Sequence, residues 1–314
     1  MNAQHRAATP AEKAVRFDRS AAERARPELL DELRGDAASR VLVVRGDAVE
    51  VVDDAGARLR WARVGEAPPD AEWAFLGRAA DGAPVLLART GGRDLPPGDW
   101  MSLRTVGGDL DAVDGDLLST AVSLGRWLRD SAFCPRCGHA CTLENAGWSR
   151  RCPECGVEHF PRTDPAVIVA VTSDAAPQRL LLGSNALWGP NRYSCFAGFV
   201  EAGESAEAAV ERELFEEAGI HVRDVQYRRS QPWPYPRSLM LGFRARAVDD
   251  AEARADGDEI AALRWFTRAE IGEALVRDDG ATRSDGTSRD DGLLLPGRAS
   301  IAHRLIADWY AETA

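Results

Sequence analysis

The feature that most constrains this chain is a run of acidic residues that begins after Gly198. Three of them, Glu213, Glu216 and Glu217, are spaced so that an α-helix would place all three side chains on one face. Like charges at this spacing repel each other, so the helix gains nothing from the cluster unless a cation neutralises it. Mg²⁺ is bound in proteins by a few carboxylates together with substrate phosphates. The spacing therefore predicts a metal–phosphate site.

The neighbouring residues predict a loop followed by this helix. Ser205 is typical of a helix N-cap, and Gly219 is typical of the left-handed residue that ends a helix. Val210 and Leu214, four residues apart, give the helix an apolar face. Arg212 is placed to hold a neighbouring carboxylate through a bidentate pair. An acidic, solvated surface helix is the alternative interpretation of the glutamate spacing alone.

The whole segment 198–220 fits a longer pattern, G-x5-E-x7-R-E-U-x-E-E-x-G-U, in which U is aliphatic. This pattern resembles the Nudix box, the signature of hydrolases that act on a nucleoside diphosphate linked to a further moiety. The resemblance implies an α/β/α sandwich fold, dependence on Mg²⁺ or Mn²⁺, and attack of water on a pyrophosphate.

The composition is that of an ordinary globular protein. The chain has 314 residues, a length typical of about two domains, and a formal net charge of −11. No apolar run is long enough to span a bilayer, and the N-terminus lacks the apolar core of a signal peptide. We therefore expect a cytoplasmic protein with no membrane contact. The negative charge argues against broad binding to nucleic acid but leaves room for a local basic patch.

Four cysteines form a second motif upstream of the acidic helix. Cys134 and Cys137 make one C-x2-C pair, and Cys152 and Cys155 make another; each pair is followed by glycine. Two such pairs supply the four thiolates of a tetrahedral Zn²⁺ site. A redox-active pair is the alternative, but the spacing favours a structural zinc ribbon in a reducing compartment.

The sequence predicts an α+β protein in three parts. A non-catalytic α+β domain is expected over 1–130, the small zinc ribbon over 131–161, and the catalytic Nudix domain over 162–314. The polar start of the chain, up to about residue 20, is expected to be frayed. The charged, Gly-rich segment 278–292 is expected to be a mobile loop.

Apolar patterns place the elements within these parts. A hairpin is predicted around Gly46 and a helix over 117–129. Further strands are predicted at 73–76, 84–88, 166–172, 179–183, 193–196, 239–248 and 263–266, with a last helix at 300–311. Cys141 and Cys195, outside the paired motif, are expected to be small buried apolar residues.

A third motif, SQPWPYPRS, occupies residues 230–238. Its three alternating prolines predict an extended, rigid path, and taken alone it is most typical of a structural crossover. Placed after a Nudix box, it resembles the SQPWPFPxS array of NADH pyrophosphatases. That Nudix subfamily also carries a four-cysteine ribbon and a non-catalytic N-terminal domain. The resemblance extends from about residue 100 to the end of the chain.

The resemblance implies site residues one by one. The implied catalytic residues are Arg212, Glu213, Glu216 and Glu217, with the base left open between Glu213 and Glu216. The implied ligands of the catalytic Mg²⁺ or Mn²⁺ are the Ala197 carbonyl, Glu213, Glu216, Glu217 and Glu259. The implied substrate-binding residues are Arg104, Phe160, Phe199, Gln231, Pro232, Trp233, Pro234, Tyr235, Pro236, Arg237, Ser238 and Ala302.

Some of these positions have plain structural alternatives, and two depart from the family pattern. Phe160 and Phe199, implied to sandwich a base, are equally consistent with core aromatics. Tyr235 stands where the family has Phe. Gly147 stands where some relatives have an acidic residue, which weakens any substrate role for the ribbon.

The leading hypothesis is hydrolysis of the pyrophosphate of NADH or NAD⁺ to nicotinamide mononucleotide and AMP. Some members of the subfamily also remove NAD caps from RNA 5′ ends, so capped RNA is a second expected substrate. The family resemblance further implies a homodimer. The alternatives are a Nudix hydrolase of other dinucleotides, such as ADP-ribose or diadenosine polyphosphates, and a non-catalytic zinc-ribbon protein that binds nucleic acid.

Overall fold

The computed structural model describes two compact units that divide between Arg162 and Thr163. The described residues are 17–53, 56–91, 98–175, 178–278 and 292–312. The expectations of a frayed start and of a mobile loop over 278–292 fall mainly on 1–16 and 279–291, which lie outside the described residues.

The first unit is built on a mixed β-sheet. Its elements are α1 (Leu29–Gly35), β1 (Arg40–Arg45), β2 (Ala48–Asp53), β3 (Ala57–Leu59), β4 (Glu72–Arg78), β5 (Pro84–Thr90), β6 (Trp100–Ser102), α2 (Leu103–Val106), α3 (Ala112–Asp130), β7 (Thr142–Glu144), β8 (Ser149–Arg151) and β9 (Glu158–His159). The main sheet has the order β3-β2-β1-β5-β4, with β6 beside β2. The hairpin predicted around Gly46 is confirmed, since Arg45 pairs with Ala48 in antiparallel register. Strands β1 and β5 are parallel, a pairing of distant segments that local patterns do not predict.

The ribbon strands β7, β8 and β9 form a small sheet that packs on the main sheet of this unit. The Trp148 indole N–H donates to the Phe75 carbonyl on β4 at 2.7 Å. The buried Arg150 guanidinium donates to the Leu128 carbonyl near the end of α3 at 2.9 Å. These bonds join the ribbon to two elements of the preceding segment. The three-part division of the chain stays a prediction.

The second unit is an α/β/α sandwich, which confirms the expected fold class. Its elements are β10 (Asp164–Thr172), β11 (Leu180–Asn185), β12 (Phe196–Phe199), α4 (Ala206–Ala218), β13 (Val222–Trp233), β14 (Ser238–Ala247), β15 (Ile260–Phe266), α5 (Arg268–Asp278) and α6 (Ile301–Ala311). The sheet has the order β13-β14-β10-β11-β15, with β12 beside β10. Alternate side chains of a strand point to opposite faces. Val167, Val169 and Val171 accordingly pack with α4, whereas Ile168 and Ala170 pack with α6.

The proline-rich motif forms the tip of a hairpin. Strand β13 runs to Trp233, which pairs with Ser238 at the start of β14. Residues 234–237 form the turn, in which the Tyr235–Pro236 bond is cis. The extended path predicted for the motif is therefore wrong over 234–237, because two antiparallel neighbours need a short connection.

Other differences follow from pairing that the sequence pattern does not reveal. The strand predicted at 193–196 lies at Phe196–Phe199, where Gly198 pairs with Val167 of β10. The backbone N–H of Arg78 donates to the Asp18 carbonyl at 2.8 Å, so the chain is already held by the sheet at Asp18. No helix in the described part of the chain is both long and apolar enough to cross a bilayer.

The contact between ribbon and sheet depends on Gly147. Its φ is +93°, and a Cβ there would stand 2.3 Å from the Cβ of Ala74. We expect Gly147→Ala to destabilise the protein by the backbone strain, about 1–2 kcal/mol, plus an overpacking penalty of about 1–3 kcal/mol. Gly82→Ala is the matched control, because Gly82 has a φ of +83° but nothing within 4 Å. Urea unfolding of both variants measures the difference, and equal losses would contradict the proposed contact.

Candidate active site

The acidic helix α4 has the boundaries that its end residues predict. The Ser205 hydroxyl accepts a hydrogen bond from the backbone N–H of Ala208 at 3.2 Å, which satisfies one free donor of the first turn. Gly219 ends the helix with a φ of +66°. Val210 and Leu214 are fully buried against the sheet. Glu217 is buried on the same side of α4, whereas Glu216 is exposed.

Arg212 ties the loop before α4 to the helix itself. Its guanidinium makes a bidentate pair with Glu204, at 2.8 and 3.0 Å. It also donates to Glu213 and Glu216, each at 2.9 Å, and to the Phe199 carbonyl at 2.9 Å. These hydrogen bonds hold the pKa of Glu204 below its usual range and raise that of Arg212 further. The bidentate partner of Arg212 is therefore a loop residue, and three carboxylates share one cation.

Glu213 occupies a space that only a glycine leaves open. A Cβ at Gly198 would stand 1.9 Å from the carboxyl carbon of Glu213. Gly198 lies on β12, and its pairing with Val167 fixes it against the central strand β10. Burial raises the pKa of Glu213, while the Arg212 hydrogen bond opposes this change. The carboxyl group is held in a cradle between strand and helix.

Glu217 is the most confined acid of the cluster. It is 5% exposed, and its Oε2 atom is buried with no hydrogen-bond partner. Burial raises the pKa of Glu217 to about 8, and the negative charges of Glu259 and Glu213 add to the effect. A buried carboxylate without a partner is unfavourable unless a cation is bound beside it. Glu217 thus has the environment of a metal ligand.

The remaining acids come from the helix surface and from the segment before β15. The Glu216 side chain is 56% exposed. Asp256, which the sequence motifs did not indicate, accepts backbone N–H bonds from Asp258 and Ile260 at 3.1 and 2.9 Å. These bonds shape the turn that carries Glu259. Asp256 also contributes to the negative charge around Glu217.

The donor set suits a hard divalent cation. It consists of carboxylate oxygens on α4 and before β15, with the backbone of Ala197 nearby on β12, and oxygen is the ligand that Mg²⁺ and Mn²⁺ prefer. Among the described residues, groups of three or more ligand atoms that all lie within 4.8 Å of one another occur in the ribbon. The carboxylate oxygens of the glutamates are more widely spaced than this.

The predicted substrate residues of the second unit occupy different settings. Gln231 donates to the Ala299 carbonyl at 2.7 Å, and its Oε1 atom is buried without a partner. Trp233 and Tyr235 meet edge to face, with ring centroids 5.1 Å apart. Phe199 is 51% exposed beside the acidic loop, whereas Ala302 is buried in the α6 core. Arg237 donates to Asp164 at 2.9 Å.

The other residues of the motif lie on the same hairpin, and two predicted residues belong to the first unit. Pro232 is in β13, Pro234 and Pro236 are in the turn, and Ser238 is buried at the start of β14. Phe160 is 43% exposed and follows β9. Arg104 lies in α2. The substrate roles of all these residues stay predictions.

The four paired cysteines form a zinc-sized cluster. Their sulfur atoms all lie within 4.8 Å of one another. The Sγ atoms of Cys134 and Cys155 are 3.7 Å apart, and those of Cys137 and Cys152 are 3.4 Å apart. A tetrahedron with Zn–S bonds of about 2.3 Å has edges of about 3.8 Å. The ribbon is thus a structural Zn²⁺ site by its ligands and its dimensions.

Two neighbours of the cluster were not indicated as such by the sequence. The His159 Nε2 atom lies 3.3 Å from the Cys134 Sγ atom. Cys141 also lies within 4.8 Å of this pair and is half-buried. The prediction of a buried apolar residue is therefore wrong for Cys141, whereas Cys195 is buried as expected.

Comparison with known proteins agrees with both motifs. Residues 162–287 match the NUDIX domain, and residues 129–160 match the NADH pyrophosphatase zinc ribbon domain. A Mycobacterium bovis protein named NAD-capped RNA hydrolase NudC is 41% identical over 288 residues, which are 89% of this chain and 85% of that protein. This chain belongs to the Nudix hydrolases. Within them it falls in the NADH pyrophosphatase group with a zinc ribbon, so the family recognised from the motifs is confirmed.

Two further relatives, which align over fewer residues, are also named NAD-capped RNA hydrolases. A Stutzerimonas stutzeri protein, also named NAD-capped RNA hydrolase NudC, is 41% identical over 193 residues, covering 59% of this chain and 66% of that protein. A human protein named NAD-capped RNA hydrolase NUDT12 is 37% identical over 208 residues, covering 64% of this chain and 42% of that protein.

The raised pKa of Glu217 predicts that a mutation that removes its charge stabilises the protein when no cation is bound. Without a divalent cation, ionising this carboxyl is harder in the folded chain than in the unfolded one. Its neutral form therefore supports the folded state fully below a pH of 4.5, and this support is lost as the pH rises to about 8. We expect Glu217→Gln, which stays neutral, to melt several degrees above the unmutated Nudix protein at pH 8 without Mg²⁺ or Mn²⁺. The difference should shrink at pH 5.

Adding Mg²⁺ should reverse the order, because only the unmutated protein gains the full cation site. Glu211→Gln is the matched control, since Glu211 is exposed on the same helix. Melting curves with and without the cation measure the effect. A Glu217→Gln variant that melts below the unmutated protein at pH 8 in cation-free buffer would contradict the buried-charge account.

The cysteine geometry predicts which residues retain zinc. Cys152→Ser should lose one Zn²⁺ per chain, because it removes a buried thiolate of the tetrahedral set. Cys141→Ser should keep the zinc, although Cys141 lies beside the cluster. Metal analysis of the purified variants decides the point. Loss of zinc from Cys141→Ser would mean that the four-cysteine assignment is incomplete.

Proposed function

We propose that this chain hydrolyses the pyrophosphate of NADH and NAD⁺ to nicotinamide mononucleotide and AMP, and that it removes NAD caps from RNA by the same reaction. The observation that supports this best is the buried, partnerless Glu217 among further carboxylates on the Nudix helix. The names of relatives that align with most of this chain support the choice of substrate.

The catalytic roles are proposed from the chemistry of the acids. Glu213, Glu216, Glu217 and Glu259, with the Ala197 carbonyl, are the proposed ligands of Mg²⁺ or Mn²⁺. When bound, the cation supplies charge neutralisation on the phosphate oxygens and a more acidic water. Arg212 positions the carboxylates, because its guanidinium contacts Glu204, Glu213 and Glu216 at once.

The base that takes the proton of the attacking water is proposed to be Glu213 or Glu216. Both accept hydrogen bonds from the same Arg212 nitrogen. Glu213 is cradled by Gly198, and burial raises its pKa, which makes it a stronger base than an exposed carboxylate. Glu216 is more exposed and closer to bulk water. Separate pH–rate profiles of the two glutamine variants distinguish them.

The assembly state and the location of the protein are also part of this proposal. The family resemblance supports a homodimer, which light scattering of the purified protein tests. The ribbon cysteines form no disulfide and serve as zinc ligands, which suits a reducing compartment and supports a cytoplasmic location. The substrate roles of Arg104, Phe160, Phe199, Ala302 and residues 231–238 are proposed on the resemblance. Stacking of a base on one aromatic ring is worth about 1–3 kcal/mol.

The test is product analysis with NADH, NAD⁺ and NAD-capped RNA, each with Mg²⁺ or Mn²⁺. We expect AMP and reduced nicotinamide mononucleotide from NADH, and a 5′-monophosphate end on the RNA. Glu217→Gln should lower turnover by at least about a hundredfold, the scale of a lost electrostatic contact in a transition state, whereas Glu211→Gln should keep it.

The alternatives predict other results of the same assay. Turnover of ADP-ribose or a diadenosine polyphosphate, with no cleavage of NADH or NAD⁺, would keep the Nudix chemistry but reject the proposed substrate. No hydrolysis of any dinucleotide would leave the non-catalytic zinc-ribbon alternative. Near-normal activity of Glu217→Gln would reject the proposed metal site.

A further inference from the structure

The second unit carries an exposed apolar loop that the proposed hydrolysis does not use. It comprises residues 186–192, between β11 and β12, and is called the rim loop here. Leu187 is 92% exposed, the highest value for a large apolar side chain in the described ranges, and Trp188 is 40% exposed. An apolar pair presented to solvent in this way is typical of a binding surface.

The rim loop is fixed at both ends by hydrogen bonds. The backbone N–H groups of Leu187 and Trp188 donate to the side chain and carbonyl of Asn185, at 2.9 and 3.0 Å. At the other end, the Leu294 N–H donates to the Asn191 carbonyl at 2.8 Å. A frame of this kind presents the exposed side chains without a large ordering penalty when a ligand binds.

The loop begins beside the proposed metal site. The Ala186 backbone N–H donates to the Glu259 carbonyl at 2.9 Å. The segment that carries Glu259 also reaches α4, because the Asp256 backbone N–H donates to the Glu217 carbonyl at 3.3 Å. The rim loop is therefore joined by one hydrogen bond to the residue that closes the acidic cluster.

The loop also carries an arginine that forms no ion pair with the residues that the structure describes. The Arg192 guanidinium lies 5.4 Å from the ring centroid of Trp188. No carboxylate pairs with Arg192 among the ion pairs of the described residues, although most of the neighbouring acidic site is negative. An indole beside a free guanidinium offers a stacking face for a base and a partner for its phosphate.

We propose that the rim loop binds the RNA chain immediately after the NAD cap. Trp188 and Leu187 contact the first base beyond the cap, and Arg192 binds the phosphate that precedes it. In a capped RNA the chain continues from the ribose next to the pyrophosphate, so it starts near the acidic cluster, beside which the rim loop begins. Free NADH ends before that point. This inference rests on the proposed removal of NAD caps.

RNA fits the rim loop better than a protein would, because bases and phosphates alternate along an RNA chain. A protein partner or a second copy of this chain would be expected to bury Leu187 in an apolar patch. Such a partner has no general need for an anion-binding group such as Arg192. A single-stranded nucleic acid uses both, since each nucleotide brings a flat base and a negative charge.

The experiment compares kcat/KM on NAD⁺ and on a short NAD-capped RNA for Trp188→Ala and Arg192→Gln. We expect each variant to lower the value for RNA about tenfold, the scale of one lost base stack, and to leave the value for NAD⁺ within about twofold. Arg192→Gln should also reduce the slope of log(kcat/KM) against log(salt) for RNA by about one.

Two matched control variants should keep the unmutated kcat/KM on both NAD⁺ and NAD-capped RNA. Tyr227→Ala removes another exposed aromatic ring, from strand β13. Arg304→Gln removes another positive charge from α6. Arg304 is exposed and lies two residues after Ala302, so it points away from the buried face.

Each further outcome overturns the proposal in a distinguishable way. Variants that cleave capped RNA as fast as the unmutated protein would exclude the rim loop but keep cap removal. Equal losses on NAD⁺ and RNA would mean that the loop serves the active site itself. An unmutated protein that cleaves NADH but not capped RNA would remove the premise as well. A changed oligomeric state of Trp188→Ala, with RNA cleavage unaffected, would identify a contact between copies.

Discussion

The hydrolysis proposed for the second unit depends on one buried carboxylate that has an oxygen without a hydrogen-bond partner. Glu217 lies inside the sandwich, and its Oε2 atom has no partner. Arg212, on the same helix, already pairs with Glu204, Glu213 and Glu216. Burying an unpaired charge is expensive, and this raises the pKa of Glu217 and favours its protonated form when no cation is bound. A divalent cation, which we propose as the ligand of this cluster, would remove that cost.

The rest of the sandwich keeps this arrangement rigid. The central strand β10 is covered on both faces, and β12 is attached to it through the pairing of Gly198 with Val167. Because Glu213 fills the space left by Gly198, the helix α4 cannot approach the strand in another register without a clash. Arg212 adds a second tie, to the Phe199 carbonyl. A site that binds a metal and a pyrophosphate needs such preorganisation, since small displacements weaken every contact.

The sequence predicts those features that local chemistry determines. Helix α4 could be placed because its N-cap Ser205 and its terminal Gly219 act within one turn of the chain. The four cysteines could be assigned to one zinc site because the spacing of the two C-x2-C pairs itself fits a metal. The turn at 234–237 and the position of β12 could not be predicted, because both depend on which strands become neighbours. Asp256 was missed for the same reason. No motif marks it, and its place beside Glu217 arises only when the segment before β15 reaches α4.

Charge distribution bears on how an acidic protein would act on a polyanion. With a net charge of −11, the chain gains no long-range attraction for RNA. Several arginines are paired internally, as Arg212 and Arg151 are with glutamates. Any affinity for capped RNA must then come from the cap pocket and from a few local contacts, such as those proposed for Arg192. An enzyme built in this way has little tendency to bind the interior of an RNA chain. Selectivity for the 5′ end would follow from weak binding elsewhere, without requiring unusually tight binding at the cap.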